Sequence, residues 1–270
     1  MKNIILITGG SGFIGKSFFK KISKKYKTFA TYNNHKYKKK NYFKVDLSNF
    51  KKTKKLVEKI KPNIIFHFAA MANPGLNEKN KKKSRINNFL VTKNIVTLCR
   101  KKIKMIYLST DKVYDGNFKK NRENNKLKPR NYYGKQKLLS ENYIKKNLNR
   151  FFILRLPIVH SNGKIRKDSL IDQFIYDAKK SRQVSIYNNV LRSFVKLNQL
   201  NNFLEKLIIC EKKFGVYNIG SKKYSYYKRV QFLLNKDKNY KIKGVKGKVF
   251  PMIQDLNLDK LKKNFSINFQ

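Results

Sequence analysis

Apolar residues occur along this chain in two alternating rhythms, short continuous runs and stripes at helical spacing. Ile4 to Ile7 is a run of strand length, after which Phe13, Ile14, Phe18, Phe19 and Ile22 recur on one helical face. Short strands are predicted near Thr28 to Tyr32 and from Tyr42 to Leu47. Leu56, Val57 and Ile60 mark a helix that stops before Pro62, since the residue preceding a proline is held out of the helical region. Asn63 to Ala70 reads as a buried strand running into small residues. A long helix from about Lys83 to Lys101 turns Ile86, Leu90, Ile95 and Leu98 inward. Ile103 to Leu108 gives a fifth strand, ending in Ser109-Thr110-Asp111. Asn131 to Asn147 follows as a helix and Phe151 to Leu156 as a sixth strand. This alternation predicts an α/β fold, a doubly wound parallel sheet with helices on both faces and ligands at the carboxyl ends of its strands. After Pro157 the rhythm loosens into shorter helix-like and strand-like pieces.

The first strand ends in Thr8-Gly9-Gly10-Ser11-Gly12-Phe13-Ile14-Gly15, where an apolar helix begins. Gly9 and Gly12 allow a sharp turn and a close approach to a ligand, and Gly15 lets the new helix pack against the strand. The helix's first N–H groups lack internal partners, so a pyrophosphate fits there. The turn predicts a dinucleotide site in which Gly9, Gly12, Phe13, Ile14 and Gly15 hold the cofactor.

At 270 residues the chain has room for a full core, as one large or two coupled domains. The opening apolar run is too short for a secretory signal, and no stretch approaches the ~20 apolar residues that cross a bilayer. Cys99 and Cys210 show no metal or redox spacing, and His35, His67 and His160 no metal spacing either. The expectation is a cytoplasmic protein without a metal. His67, inside an apolar run, reads as a hydrogen-bonded core residue.

A net charge of +50 raises nucleic-acid binding as a function. The lysines, however, are scattered through every predicted helix, while arginine, preferred for bidentate phosphate contacts, is rare. Lys, Asn, Ile, Phe and Tyr abound and Trp is absent, the pattern an A/T-rich codon usage produces. No specific nucleic-acid partner is expected, and Lys38 to Lys40 and Lys81 to Lys83 read as solvated ends.

Tyr133 and Lys137 lie four apart on a predicted helix, hence on one face. A free phenol has a pKa near ~10, and a neighbouring ammonium is expected to lower it. Such a pair passes a proton to or from a sugar hydroxyl or carbonyl. The hydroxyls of Ser109 and Thr110, at the end of the preceding strand, are candidates to bond the reacting oxygen.

Together these motifs resemble the extended short-chain dehydrogenase/reductase family, the sugar-nucleotide epimerases, dehydratases and reductases. Thr8 to Gly15 matches its T-G-x-x-G-x-x-G, and Asn88 to Ile95 its N-x-x-G-T-x-N-L, with Val91 in place of Gly. Arg192-Ser193-Phe194-Val195 looks like its R-D-F-V, and Gly215 to Gly220 like its G-x-Y-N-x-G. Within the family, Leu108 to Gly116 and Asn131 to Leu138 look most like the dTDP-4-dehydrorhamnose reductases. Lys112 stands where the 4,6-dehydratases carry a Glu, which disfavours dehydration and leaves epimerisation as the alternative.

The resemblance implies a Rossmann-type nucleotide-binding part, residues 1–156 with 191–218 returning to it, and a small C-terminal substrate-binding lobe from 157–190 and 219–270. It implies an NAD(P)-dependent reductase of a nucleotide-linked 4-keto-6-deoxy sugar. Tyr133 would be the proton donor, Lys137 its neighbour on the nicotinamide ribose, and Thr110 the orienting hydroxyl. Asp46-Leu47 would meet the adenine, and Ala69 and Ala70 would lie beside the cofactor. Ser109, Thr110, Asp111 and Arg192 would contact substrate, with Arg192 on its diphosphate. Relatives dimerise through helices corresponding to about 83–101 and 131–147, and a non-catalytic NADP(H)-binding regulatory relative is the alternative from another class. The end of the second strand, Tyr32 to Lys36, carries no acid for a ribose and offers Lys36 to a 2′-phosphate, so NADP(H) is expected, with NAD(H) the alternative.

Overall fold

The computed structural model describes residues 3–33, 40–99, 102–116, 120–161, 169–181, 183–234, 241–248 and 253–269. The chain runs β1 (Ile4–Thr8), α1 (Phe13–Ile22), β2 (Lys27–Tyr32), β3 (Tyr42–Lys44), α2 (Phe50–Ile60), β4 (Ile64–His67), α3 (Pro74–Lys79), α4 (Lys81–Ser84), α5 (Val91–Cys99), β5 (Lys104–Thr110), α6 (Tyr132–Asn147) and β6 (Phe151–Leu156). It continues through β7 (Ile158–His160), α7 (Leu170–Ser181), β8 (Gln183–Tyr187), β9 (Leu191–Arg192), β10 (Phe194–Lys196), α8 (Leu197–Ile209), β11 (Gly215–Asn218), β12 (Tyr224–Ser225) and α9 (Tyr226–Leu234).

Two compact units result. The first comprises 1–113, 127–154 and 201–216, and the second 114–126, 155–200 and 217–270. Residues 191–200, expected with the nucleotide-binding part, fall in the second unit, because β9 pairs with β12 and β10 with β7.

The first unit is built on a seven-stranded sheet in the order β11-β6-β5-β4-β1-β2-β3. Strands β3, β2, β1, β4 and β5 pair in parallel, as crossover helices require. Leu6, Ile65, Met105 and Ile153 pack from the sheet against Leu56, Ile60, Ile95 and Ile144 of its helices. Lys104, inside the apolar run of β5, is buried because Nζ donates to the carbonyls of Ile208 (2.7 Å) and Cys210 (3.0 Å) and pairs with Glu211 at 2.8 Å. It thereby satisfies the carbonyl end of α8, where a cation is favoured.

The long helix expected over 83–101 is interrupted. Arg85–Leu90 forms a π-helical turn between α4 and α5, and such turns concentrate at functional sites. Asn88 in this turn accepts the Met71 N–H at 3.0 Å and donates to Asn77 Oδ1 at 2.7 Å, which ties it to the chain after β4. The second unit has its own core, with Ile171, Ile175, Ile186, Phe194, Tyr226 and Val230 buried together. Within it Arg155 is fully buried and donates to Tyr114 Oη at 2.7 Å, and that hydroxyl donates to Asn218 Oδ1 at 2.8 Å.

Candidate active site

The turn after β1 is shaped by contacts that exclude a side chain. Gly9 sits at φ +67°, and a Cβ there would lie 2.7 Å from Ala69 N. A Cβ on Gly15 would lie 2.3 Å from the Gly9 carbonyl oxygen, so only glycine lets α1 start this close to β1.

Around this turn a cavity of about 400 Å³ opens at the carboxyl ends of β1, β2 and β4. Gly9, Gly12, Asp46, Leu47, Ala69 and Ala70 line it. Phe13, Ile14 and Gly15 begin α1 behind the lining, and Lys36 lies outside the described residues. Ser11, Thr31, Asn33, Phe68 and Met71 also line the cavity, as do Lys83 and Asn87. Lys83, on α4, is thus a wall residue as well as a solvated one.

Hydrogen bonds hold these walls. Asp46 Oδ1 accepts from Ser48 N (2.9 Å) and Oγ (2.7 Å), while Asn94 Nδ2 donates to the Leu47 carbonyl at 2.9 Å. Thr8 Oγ1 accepts from the N–H groups of Phe68 (3.1 Å) and Ala69 (3.2 Å) and lies 2.7 Å from His67 Nδ1. His67 Nε2 is 3.0 Å from Thr92 Oγ1, which donates to the Asn88 carbonyl at 2.6 Å. This chain closes only with a neutral His67 protonated on Nε2. Burial, helped by the Lys137 charge, pushes the His67 pKa down to about 3, in agreement with that state.

Asn131 caps α6, its Oδ1 accepting the Gly134 N–H at 2.7 Å, which fixes the turn that carries Tyr133. Lys137, one turn on, donates from Nζ to the Leu108 carbonyl at 2.8 Å. It stands 4.5 Å from the Tyr107 ring centroid and 5.9 Å from that of Tyr133. Thr110 Oγ1 lies 3.3 Å from Asp111 Oδ1 and 3.3 Å from Lys112 N. Tyr133, Lys137, Thr110 and Asp111 are all buried in the first unit. Tyr133 and Lys137 stand outside the cavity lining, on α6.

The electrostatics differ from the expectation of an acidified phenol. Burial, reinforced by the Asp111 charge, raises the Tyr133 pKa above the ordinary phenol value. Burial also lowers Lys137 to about 7, against a smaller opposing effect of Glu141. Desolvation is the largest effect on both groups.

Ser109, expected on substrate, points its hydroxyl at Glu141 Oε1, 2.5 Å away in the interior. Glu141 extends the Tyr133–Lys137 face by one further turn, a spacing visible in the sequence. Arg192 lies in the second unit, buried, with Nη1 donating to the Leu191 carbonyl at 2.8 Å. Among the described residues no group of His, Cys, Asp and Glu is arranged to hold a metal, and no helix is long and apolar enough to cross a membrane.

A family model described as RmlD substrate binding domain matches residues 1–256. The chain belongs to that family. Among its relatives, methionine adenosyltransferase 2 subunit beta from Xenopus laevis is 26% identical over 167 residues, 62% of this chain and 50% of that protein. The chain thus spans about half the length of the curated relatives it matches first. A crystal structure of dTDP-4-dehydrorhamnose reductase from Bacillus anthracis str. Ames in complex with NADP superposes with a TM-score of 0.87 at 21% identity. It covers 100% of this chain and 95% of that one. UDP-glucose 4-epimerase from Thermotoga maritima, with UDP-glucose, gives a TM-score of 0.84 at 18% identity over 98% and 93% of the two chains. At these identities the solved structures share the fold of this RmlD-family chain, with its α/β architecture and seven-stranded sheet.

Proposed function

We propose that this RmlD-family protein reduces the keto group of a nucleotide-linked 4-keto-6-deoxy sugar with NADPH. One observation carries the reading: the first unit combines a glycine-cradled cavity at the strand ends with Tyr133 and Lys137 on α6, beside the carboxyl end of β5. The cradle fits a dinucleotide, because Gly9 and Gly12 bring bare backbone to the cavity at the start of α1, whose first N–H groups suit a pyrophosphate. Asn33, at the end of β2, lines the cavity without an acid charge, which supports NADP(H) over NAD(H). The structure of the Bacillus anthracis protein in complex with NADP supports the same choice.

When bound, the dinucleotide supplies hydride from C4 of the nicotinamide to the carbonyl carbon. Tyr133 gives its proton to the carbonyl oxygen as the general acid. Lys137, anchored on the Leu108 carbonyl, holds the Tyr133 side and the nicotinamide ribose. Thr110 orients the carbonyl, with Asp111 beside it. Arg192 takes the substrate diphosphate. A homodimer through the helices of 83–101 and 131–147 belongs to the same reading, and Leu139, 43% exposed on α6, supports it.

A second reading is a non-catalytic NADP(H)-binding subunit, favoured by the likeness to methionine adenosyltransferase 2 subunit beta. A buried Tyr133–Lys137 pair supports catalysis, since a binding protein needs no proton donor there. An epimerase is the alternative within catalysis. The test is a panel of dTDP-, UDP- and GDP-linked keto sugars, with NADPH oxidation followed by absorbance. Net oxidation on one of them supports the reductase, and interconversion of sugar epimers without net oxidation supports the epimerase. Tight NADPH binding without turnover on any of them supports the subunit.

A further inference from the structure

The second unit contains its own cavity, of about 530 Å³, and none of its walls belongs to the site above. Lys196, Lys222, Lys228 and Arg229 bring four cationic side chains to it, and among the described residues that line it none is acidic. The neighbouring Lys223 pairs with Asp255 at 3.0 Å.

Lysines on the surface of a chain this basic are ordinary; a buried arginine on the wall of a cavity is not. Arg229 is 4% exposed. Its Nη2 lies 3.0 Å from His160 Nε2, which must accept and is therefore unprotonated on that atom. The guanidinium stands 5.7 Å from the ring centroid of Phe194, 6.0 Å from Tyr224 and 5.9 Å from Phe232. Aromatic faces stabilise a cation in such a position. A guanidinium offers a fork of N–H donors that matches phosphate oxygens. Beside it Tyr224 and Phe232 expose flat apolar rings, Phe232 to 65%, and such rings stack on bases of any sequence.

We propose that this cavity binds a nucleoside phosphate. Its phosphates meet Arg229, Lys196, Lys222 and Lys228, and its base stacks on the rim formed by Tyr224 and Phe232. Arg192, the residue assigned to the substrate diphosphate, does not line it. The site is therefore additional to the one in which the reaction is proposed, and its test does not depend on turnover.

The chain contains no tryptophan, so Phe232→Trp, at an exposed position, places a single reporter on the rim. Titration of this protein with ADP is expected to change tryptophan emission saturably. Inorganic phosphate should compete. Adding Lys222→Glu and Lys228→Glu, both solvent-facing positions, should weaken ADP by at least about tenfold while far-UV circular dichroism stays unchanged, since each reversed charge opposes the phosphates directly. A parallel titration with dTDP separates sources. Equal responses mark a base-tolerant site, whereas a response to dTDP alone would make the cavity part of the substrate site and overturn the proposal of an additional one. No saturable change with either nucleotide at millimolar concentration, or an affinity untouched by the two charge reversals, overturns the proposal.

Discussion

Ser109 Oγ donates to Glu141 Oε1 at 2.5 Å, joining the end of β5 to α6 in the interior of the first unit. The bond fixes the helix that carries Tyr133 and Lys137 against the strand that carries Thr110. Removing one partner of a buried bond leaves the other to bear its desolvation. Ser109→Ala is expected to lower unfolding stability by about 1–3 kcal/mol in denaturant titrations, with the KM for a sugar nucleotide unchanged. A raised KM at unchanged stability would instead return Ser109 to the substrate.

Lys137 makes stability pH-dependent with a definite sign. Its pKa falls from 10.5 to about 7 on folding, chiefly through burial. Between these values the unfolded chain holds the extra proton, so stability rises with pH across that window. Below about 7 both states are protonated and the cost of the buried ammonium is fully present. Lys137→Met should flatten the rise in melting temperature between pH 7 and 10.5 relative to wild type. An identical profile in the variant would contradict the shift.

Cofactor choice is expected to turn on Asn33, which lines the cavity at the end of β2. Asn33→Asp puts an anion beside the position of a 2′-phosphate while offering a ribose partner. The ratio of Kd values should move toward NADH by about tenfold or more, a change of roughly 1.4 kcal/mol or above. Fluorescence titration with each reduced cofactor measures it.

Gly15→Ala tests the cradle. Its new Cβ would meet the Gly9 carbonyl oxygen at 2.3 Å, and overpacking of this kind costs about 1–3 kcal/mol. The variant should melt lower and bind NADPH weakly, whereas unchanged binding would place the dinucleotide elsewhere.

Much of this was legible in the sequence, because strand runs and helical stripes depend on neighbours a few residues apart. The parallel sheet, the glycine turn and the spacing of Tyr133 and Lys137 are of that kind. What escaped depends on residues distant in the chain or on solvent. The π-helical turn at Arg85–Leu90 is held partly by the bond of Asn88 to Met71, and no local propensity announces it. The phenol of Tyr133 was expected to be acidified by Lys137, yet burial raises its pKa, and burial is a property of the packed fold. The Ser109 hydroxyl finds a partner 32 residues away. The burial of Lys104 within β5 is explained only by the end of α8, whose carbonyls its ammonium meets.

The central claim is that Tyr133 delivers a proton to a reacting carbonyl beside a bound NADPH. Its most direct test compares wild type with Tyr133→Phe in NADPH oxidation by a dTDP-4-keto-6-deoxy sugar, alongside the NADPH Kd of each. Loss of the proton donor should lower kcat by about 10²–10⁴-fold, with NADPH affinity kept within about twofold. A variant that turns over at the wild-type rate would contradict the account.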